Sequence, residues 1–443
     1  MHLSSKSEFF DNVAHLFCAE KQISIFCTIM LRAYKYRIYP TDEQKVLFAK
    51  TFGCVRVVYN WGLDIKSNLY KEKKESIGVV ALTNRMKLEL KAEKEWLGEV
   101  NSQALQMAIR NLDTAYQNFF KKNGKYPNFK SKHDRQSFHN PQHCSVDFKR
   151  GVLNIPKAKN IPTVFHRKFK GDKIHDVTIS KEKDGRYYAS ILVDTFEKPL
   201  PKKLVTDDTT IGIDTGLKTF AVCSYGEEFA AVHFLKEEKR KLKLLGRKLS
   251  KKKKGSKAFN ETKQRIAKAH SRVARKRLDY LHKITHRLTH ENQVGTICVE
   301  DLNVKGMVRN KHLAYDISDA GIGMFYTLLA YKCQWYGINL VEIGRFQPSS
   351  KQCSCCGYIN KTLTLSVRHW TCPECGASHD RDHNASVNIK NFGLATLRME
   401  RPEVKPVECP LVDDRASAPK KQRHREAGKA ISKCNLEAPK SLA

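Results

Sequence analysis

Nowhere in the 443 residues does an uninterrupted apolar run approach the ~18 residues of a membrane-spanning helix, which excludes an integral membrane protein built on such helices. Cysteine is thin. Fourteen in 443 is too sparse for a disulfide-scaffolded secreted module, and the length suffices for two or three domains with cores of their own. The beginning lacks a secretory signal, because the apolar run 23–29 is short, follows acidic residues and precedes no small-residue cleavage site. Acid is scarce too: 46 Asp and Glu stand against 80 Lys and Arg, a formal charge of +34. Such a chain repels itself unless a polyanion is present, and nucleic acid is the commonest polyanion. A cytosolic nucleic-acid-binding protein is therefore expected.

What is present changes texture along the chain. Met30 opens an alternating segment, Leu31 to Pro40, that reads as an amphipathic strand, so 1–29 is expected to be leader sequence. Thr41-Asp42-Glu43 is a helix start, with one or two helices following through Val46, Val58, Trp61, Ile65 and Leu69. Leu105, Ile109, Leu112, Tyr116 and Phe119 mark a second helical stretch near 102–121. Residues 142–200 turn to β texture, with Asp184-Gly185 predicting a tight primed hairpin turn between 176–183 and 186–193. A helical insert thus separates β segments, and strand 31–39 is expected to join the later sheet. From Thr209 the order is two strands, a basic helical region, a strand at 295–302, a helix around 319–336 and a strand at 338–343, an α/β pattern. Beyond it, 393–443 reads as a disordered tail, most plainly from Arg401.

The basic region carries half of the charge excess: residues 236–290 hold 21 Lys and Arg against 4 acids. Two short apolar stripes flank the turn Lys251-Lys252-Lys253-Lys254-Gly255-Ser256, predicting a helical hairpin. A merely solvated helix pair would interleave acids for i,i+4 pairing, and acids are nearly absent, so phosphate contact is expected. The candidates are Lys251, Lys252, Lys253, Lys254, Arg272, Arg275, Lys276 and Arg277.

Two further groups carry chemistry. Cys353-x2-Cys356 and Cys372-x2-Cys375, with 15 residues between them, offer four thiolates at the spacing of a zinc ribbon. Gly357 and Gly376 suit the tight knuckle turns. Cys355 is out of register, and His369, His379 and His383 are possible substitutes, but four thiolates already close a structural site. Three acids stand out by position: Asp214 ends a strand before Thr-Gly, Glu300 ends another, and Asp382 lies in Asp380-Arg381-Asp382-His383-Asn384-Ala385 at a helix start. Carboxylates converging so can hold two Mg²⁺ ions for phosphodiester cleavage. Glu300 and Asp301 alternate faces, so one of them should point inward.

With these residues in view, the chain resembles the TnpB (OrfB) family of insertion-sequence proteins, relatives of type V CRISPR effectors. The resemblance rests on 30–44, on Phe52-Gly-Cys-Val-Arg-Val-Val-Tyr-Asn-Trp61, on Tyr126-Pro-Asn-Phe-Lys-Ser-Lys132 and on Pro348-Ser-Ser-Lys351. It rests equally on three nuclease-like motifs, Ile211-Gly-Ile-Asp-Thr-Gly-Leu-Lys218, Val299-Glu-Asp-Leu302 and Asp380-Arg-Asp-His-Asn-Ala385, and covers about 30–392. It implies an RNA-guided DNA endonuclease with an RNase H-like (RuvC) domain at 206–349 and 377–392. The basic hairpin 236–290 lies inside that domain, and a zinc ribbon at 350–376 interrupts it. Asp214, Glu300 and Asp382 would bind magnesium, Asp382 being preferred to Asp380 by its place before Asn-Ala. The resemblance also implies a wedge-like β-barrel from 30–40 and 140–205, with a helical recognition insert at 41–139. Its partners would be a guide RNA from the mobile element and double-stranded DNA, in a prokaryotic cytoplasm. The rivals are a non-catalytic DNA-binding accessory protein, which has no need of all three acids, and an ATPase, which needs a second phosphate loop that is not present.

Overall fold

The computed structural model describes residues 30–400 apart from 170, 172, 196, 198, 199, 292 and 365. The expected leader and the tail beyond 400 lie outside the described residues. No helix among those described is long and apolar enough to cross a membrane.

The first sheet gathers β1 (Leu31–Ile38), β2 (Gln136–Asn140), β3 (Ser145–Asp147), β4 (Val152–Ile155), β5 (Ala158–Val164), β6 (Ile174–Lys181) and β7 (Tyr187–Asp194). Their order is β2-β6-β7-β1-β5-β4-β3, antiparallel at every step. The first strand of the chain therefore sits in the middle, with Tyr36 opposite Ala189. Burial alternates along β7, as a sheet with one covered face requires: Tyr187, Ala189, Ile191 and Val193 turn inward. The expected barrel is not closed. β2 and β3 are unpaired edges, and β2 is covered instead by a helix, where Phe138 packs on Phe48 and Phe52. That helix, α1 (Asp42–Lys73), starts at a capping box in which Thr41 Oγ1 accepts from Gln44 N and the Gln44 side chain accepts from Thr41 N. It packs against α2 (Ser102–Phe120) through the buried Leu105, Ile109 and Leu112. β2 begins at Gln136, inside the range 41–139 expected for the helical insert. The Asp184-Gly185 turn is also longer than a two-residue primed turn: the Glu182 N–H donates to Arg186 O, and only Gly185 (φ +83°) is left-handed.

The second sheet gathers β8 (Thr210–Thr215), β9 (Thr219–Cys223), β10 (Glu228–Ala230), β11 (Thr296–Glu300) and β12 (Asn339–Ile343) in the order β10-β9-β8-β11-β12. The first three are antiparallel; β8, β11 and β12 run parallel. Between β10 and β11 stand α3 (Phe234–Ser250) and α4 (Lys257–His286), with Ser256 capping α4. Leu281 and Ile284 of α4 enter the core of this sheet. The helix expected around 319–336 is two helices, α5 (Ala314–Ala320) and α6 (Ile322–Trp335), broken at Gly321 (φ +71°), where a Cβ would lie 2.8 Å from Arg277 Cδ. α7 (Arg381–Glu400) covers the other face. Phe392 and Leu397 of α7 pack on the cluster of Cys298, Val341, Ile343 and Ile389, so the helix continues through 393–400, where a tail was expected.

The seat of α7 depends on glycine. A Cβ on Gly212 of β8 would stand 2.0 Å from Ser386 O and 2.5 Å from Lys390 N. Backbone cannot yield there as a flexible side chain can. Gly212→Ala is accordingly expected to destabilise the protein by about 3 kcal/mol in urea unfolding. Gly53→Ala in α1, whose Cβ would meet only Arg56 Nη2 at 4.0 Å, should leave stability unchanged or raise it.

A carboxylate site beside a four-cysteine cluster

Asp214 lies near the end of β8 and Glu300 ends β11. The two strands are parallel neighbours with Ile213 opposite Val299, so the next residue on each is an acid. α7 starts at the same edge. Asp380 accepts from the backbone N–H groups of Asp382 (3.1 Å) and His383 (2.9 Å), a capping arrangement that occupies Asp380. The Asp382 carboxylate is gripped through both oxygens by Arg368 Nη1 at 2.7 and 2.8 Å. Asp301 turns to Arg345 at 2.6 Å, whereas Glu300 accepts from Ser349 Oγ at 2.5 Å.

The three acids feel one another. Burial, then the charges of Glu300 and Asp382, push the Asp214 carboxyl up to about 7, against the pull of Arg381 and the Thr215 backbone. The half-buried Tyr326 of α6 adjoins the site, its hydroxyl 3.2 Å from Thr215 Oγ1; burial raises its pKa, and Glu300 and Asp214 add to the rise. The acids are not drawn around a single point. Among the described residues, the sets of three or more ligand atoms within 4.8 Å of one another are all cysteine-based. A cation between the carboxylates would have to compete with Arg368 for Asp382.

Ser349, Tyr326, Arg345 and Arg368 carry no motif that sequence reasoning singled out as ligands. Only the position of Ser349 in Pro348-Ser-Ser-Lys351 and of Arg368 between the knuckles offered a signal.

The thiols do close on one point. Cys353, Cys356, Cys372 and Cys375 present their sulfurs together, with Cys353 to Cys375 at 3.7 Å and Cys356 to Cys372 at 3.6 Å. A tetrahedron with metal–sulfur bonds of ~2.3 Å has edges of ~3.8 Å, so the spacing fits zinc. Each knuckle is a turn on a left-handed glycine: Gly357 N–H donates to Cys353 O, and Gly376 N–H to Cys372 O. Burial raises the Cys353 thiol pKa, but the backbone amides of Cys356 and Cys355 and the His379 ring outweigh it, and the thiol titrates below its ordinary range. His379 Nε2 lies 3.0 Å from Cys353 Sγ. Cys355 comes within 4.8 Å of Cys353 and His379, sharing Cys353 with the four-thiol set.

The basic hairpin divides. Arg277 donates to the fully buried Asp319 at 2.7 Å, and Arg275 reaches the buried Asp184 at 3.4 Å. Arg272 and Lys276 lie 3.5 Å from Glu238 and Glu237. Lys252 donates to Thr262 Oγ1 and Ala258 O, closing the hairpin turn. Lys251, Lys253 and Lys254 are exposed at the tip. Glu237 and Glu238 are thus matched across elements, a pairing that i,i+4 reasoning does not see, whereas Asp279 pairs Lys283 at i,i+4.

Comparison with known proteins adds three family models: a Cas12f1-like TNB domain over 323–389, a probable transposase (OrfB of IS605) over 190–311, and an OrfB helix-turn-helix domain over 30–75. In the last range the structure has β1 and the single long helix α1. A Streptomyces pristinaespiralis protein named "Putative RNA-guided DNA endonuclease" is 38% identical over 370 residues, 82% of this chain and 90% of its own length. InsQ of Escherichia coli K12, similarly named, is 29% identical over 83% of this chain and 93% of its own. Among solved structures, a Cas12f1 complex with guide RNA and target DNA aligns with TM-score 0.54 at 14% identity, covering 82% of this chain and 99% of that one, a likeness of fold.

Two outcomes follow from the geometry. Asp214 titrates near 7 when folded and near 3.8 when unfolded, so its contribution is fully present below the unfolded value and is lost as pH rises through 7. Asp214→Asn should therefore exceed the metal-free parent in stability by roughly 2–3 kcal/mol at pH 8, with the gap closing toward pH 4 in urea titrations. The purified protein should carry about one zinc per chain by elemental analysis. Cys372→Ser should lose it, whereas Cys355→Ser should keep it.

Proposed function

The chain belongs to the OrfB (TnpB) family of IS605-type transposon proteins, and we propose that it is an RNA-guided DNA endonuclease with Asp214, Glu300 and Asp382 as its metal-binding acids. The observation that carries this reading is that the three acids stand at one edge of the second sheet, where burial and then the charges of Glu300 and Asp382 raise the pKa of Asp214. A non-catalytic DNA-binding protein has no use for so unfavourable a cluster. The strand order, with three antiparallel strands followed by two parallel ones, supports an RNase H-like nuclease domain over 206–349 and 377–392. Residues 350–376 are its zinc ribbon, and the first sheet with its helical cover is the wedge and recognition part, as an open sheet.

Magnesium at the carboxylates would supply Lewis acidity toward the scissile phosphate and lower the pKa of the attacking water. The residues of the chain prepare that position. Asp214 sheds its proton to become a ligand, which favours cation binding above neutral pH. Ser349 fixes one oxygen of Glu300 and leaves the other available to a cation. Arg345 holds Asp301 aside. Arg368 partly neutralises Asp382 and keeps a guanidinium at the place where phosphate charge arrives. A guide RNA transcribed from the mobile element would choose the double-stranded target by base pairing, with the protein reading backbone shape and a short flanking motif. Lys251, Lys253 and Lys254 would contact phosphates, whereas Arg277 is a structural strut.

The test is to purify the protein with RNA co-expressed from its own locus, sequence that RNA, and offer a matching duplex with Mg²⁺. The parent should cut it. Asp214→Ala should retain RNA and zinc and cut at least about 1,000-fold more slowly. Undiminished cutting by that variant would overturn the assignment of the metal site.

A further inference from the structure

The most exposed large hydrophobic side chain among the described residues is Phe346, at 94%. A scattered exposed apolar residue is ordinary, but the turn that carries this one is anchored. It sits in the turn Gly344–Gln347, closed by the Gln347 N–H donating to Gly344 O at 3.1 Å. On the upstream side, Arg345 is tied to Asp301 by Nη2 to the carboxylate (2.6 Å) and Nε to the carbonyl (3.2 Å). On the downstream side, Ser349 is buried and donates to Glu300. The turn that bears the ring thus lies between two anchors, which end on Asp301 and Glu300.

We propose that Phe346 is a stacking platform for an unpaired nucleobase of the DNA strand held at the carboxylates, an inference that rests on the nuclease reading above. A phosphodiester bound at Glu300 brings the bases of its flanking nucleotides alongside the neighbouring turn. A lone aromatic ring matches the face of a base without regard to its identity, as cleavage chosen by a guide requires. The sequence around it disfavours a protein occupant: Arg345, Gln347, Ser350 and Lys351 are its polar neighbours along the chain, and one exposed ring is too small an apolar area for protein docking. A base on Phe346 also orients the strand, so the residue acts by positioning the substrate.

The experiment uses the RNA-loaded protein and single-stranded oligonucleotides carrying 2-aminopurine at successive positions, with Ca²⁺ replacing Mg²⁺. The parent and Phe346→Tyr should quench the fluorescence at one position, and Phe346→Ala and Phe346→Leu should not. With Mg²⁺ and subsaturating target, Phe346→Ala should cleave about 5- to 100-fold more slowly than the parent. Its RNA content and melting temperature should match the parent, and abasic nucleotides flanking the cut should erase the difference. Quenching that survives in Phe346→Ala, rescue by leucine equal to that by tyrosine, or no quenching at any position in the parent would each overturn the proposal. A parent that quenches but never cuts would count against the nuclease reading and leave the stacking standing.

Discussion

The carboxylate site exists because α7 can lie directly on β8. At Gly212 there is no side chain, and the backbone of Ser386 and Lys390 occupies the space that a Cβ would take. Gly393 does the same one sheet position over, where a Cβ would sit 2.2 Å from Cys298 Sγ. Two such contacts fix both the height and the direction of the helix, and Asp382 is only one turn ahead of Ser386. The helix is also pinned from its other side. Asn384 and Asn388, both buried, donate to Gln352 O, and Asn388 donates to Ser349 O, while Asn384 Oδ1 accepts from Ser354 N. Ser349 in turn holds Glu300. The start of the cysteine cluster and two of the three acids therefore belong to one hydrogen-bonded block, and a zinc bound there would stabilise geometry at a site it does not touch.

That block holds an arrangement its own charges oppose. Three partly desolvated acids stand near one another, and burial first, then the charges of Glu300 and Asp382, raise the pKa of Asp214. The opposing stabilisation comes from elsewhere. The core beneath contains Ile211, Ile213, Ile297, Val299 and Phe325, and buried apolar area of this kind contributes roughly 25 cal/mol per Å². Arg368 and Arg381 relieve part of the repulsion locally. A divalent cation would relieve the rest, so the same feature that weakens the site without a cation favours cation binding.

How far the sequence was legible depended on the range of the interaction that fixes each feature. The capping box at Thr41, the stripe of α2 and the Cys-x2-Cys knuckles with their glycines are decided within a few residues, and they read directly. The three acids were legible as positions, two strand ends and a helix start, and Glu300 was separable from Asp301 only as one of two faces. Features set by distant partners were not legible. Nothing local distinguishes Gly212 from a turn glycine, since its role is defined by residues more than 170 positions away. The break at Gly321 answers to Arg277, and the open first sheet answers to helices that cover its edge. The continuation of α7 past 392 depends on Phe392 and Leu397 meeting a core built by β11 and β12.

The +34 charge shows the same division. α3 contributes no fully buried residue, so hydrophobic burial alone cannot hold the hairpin in place. Asp319 does much of it: fully buried, it accepts from Leu235 and Lys236 at the start of α3 and from Arg277 of α4. A buried acid left without Arg277 would be costly, so that arginine is committed to the fold. From Arg277 to the capping Ser256 is 21 residues of helix, about 30 Å at 1.5 Å per residue. Interactions between exposed charges fade over a Debye length of ~8 Å, so the anchoring acids do nothing for Lys251, Lys253 and Lys254 at the tip. Those lysines repel one another and form no ion pair among the described residues, with Glu261 the nearest acid along the chain, and a phosphate backbone laid across the hairpin tip is a ligand that would relieve the repulsion.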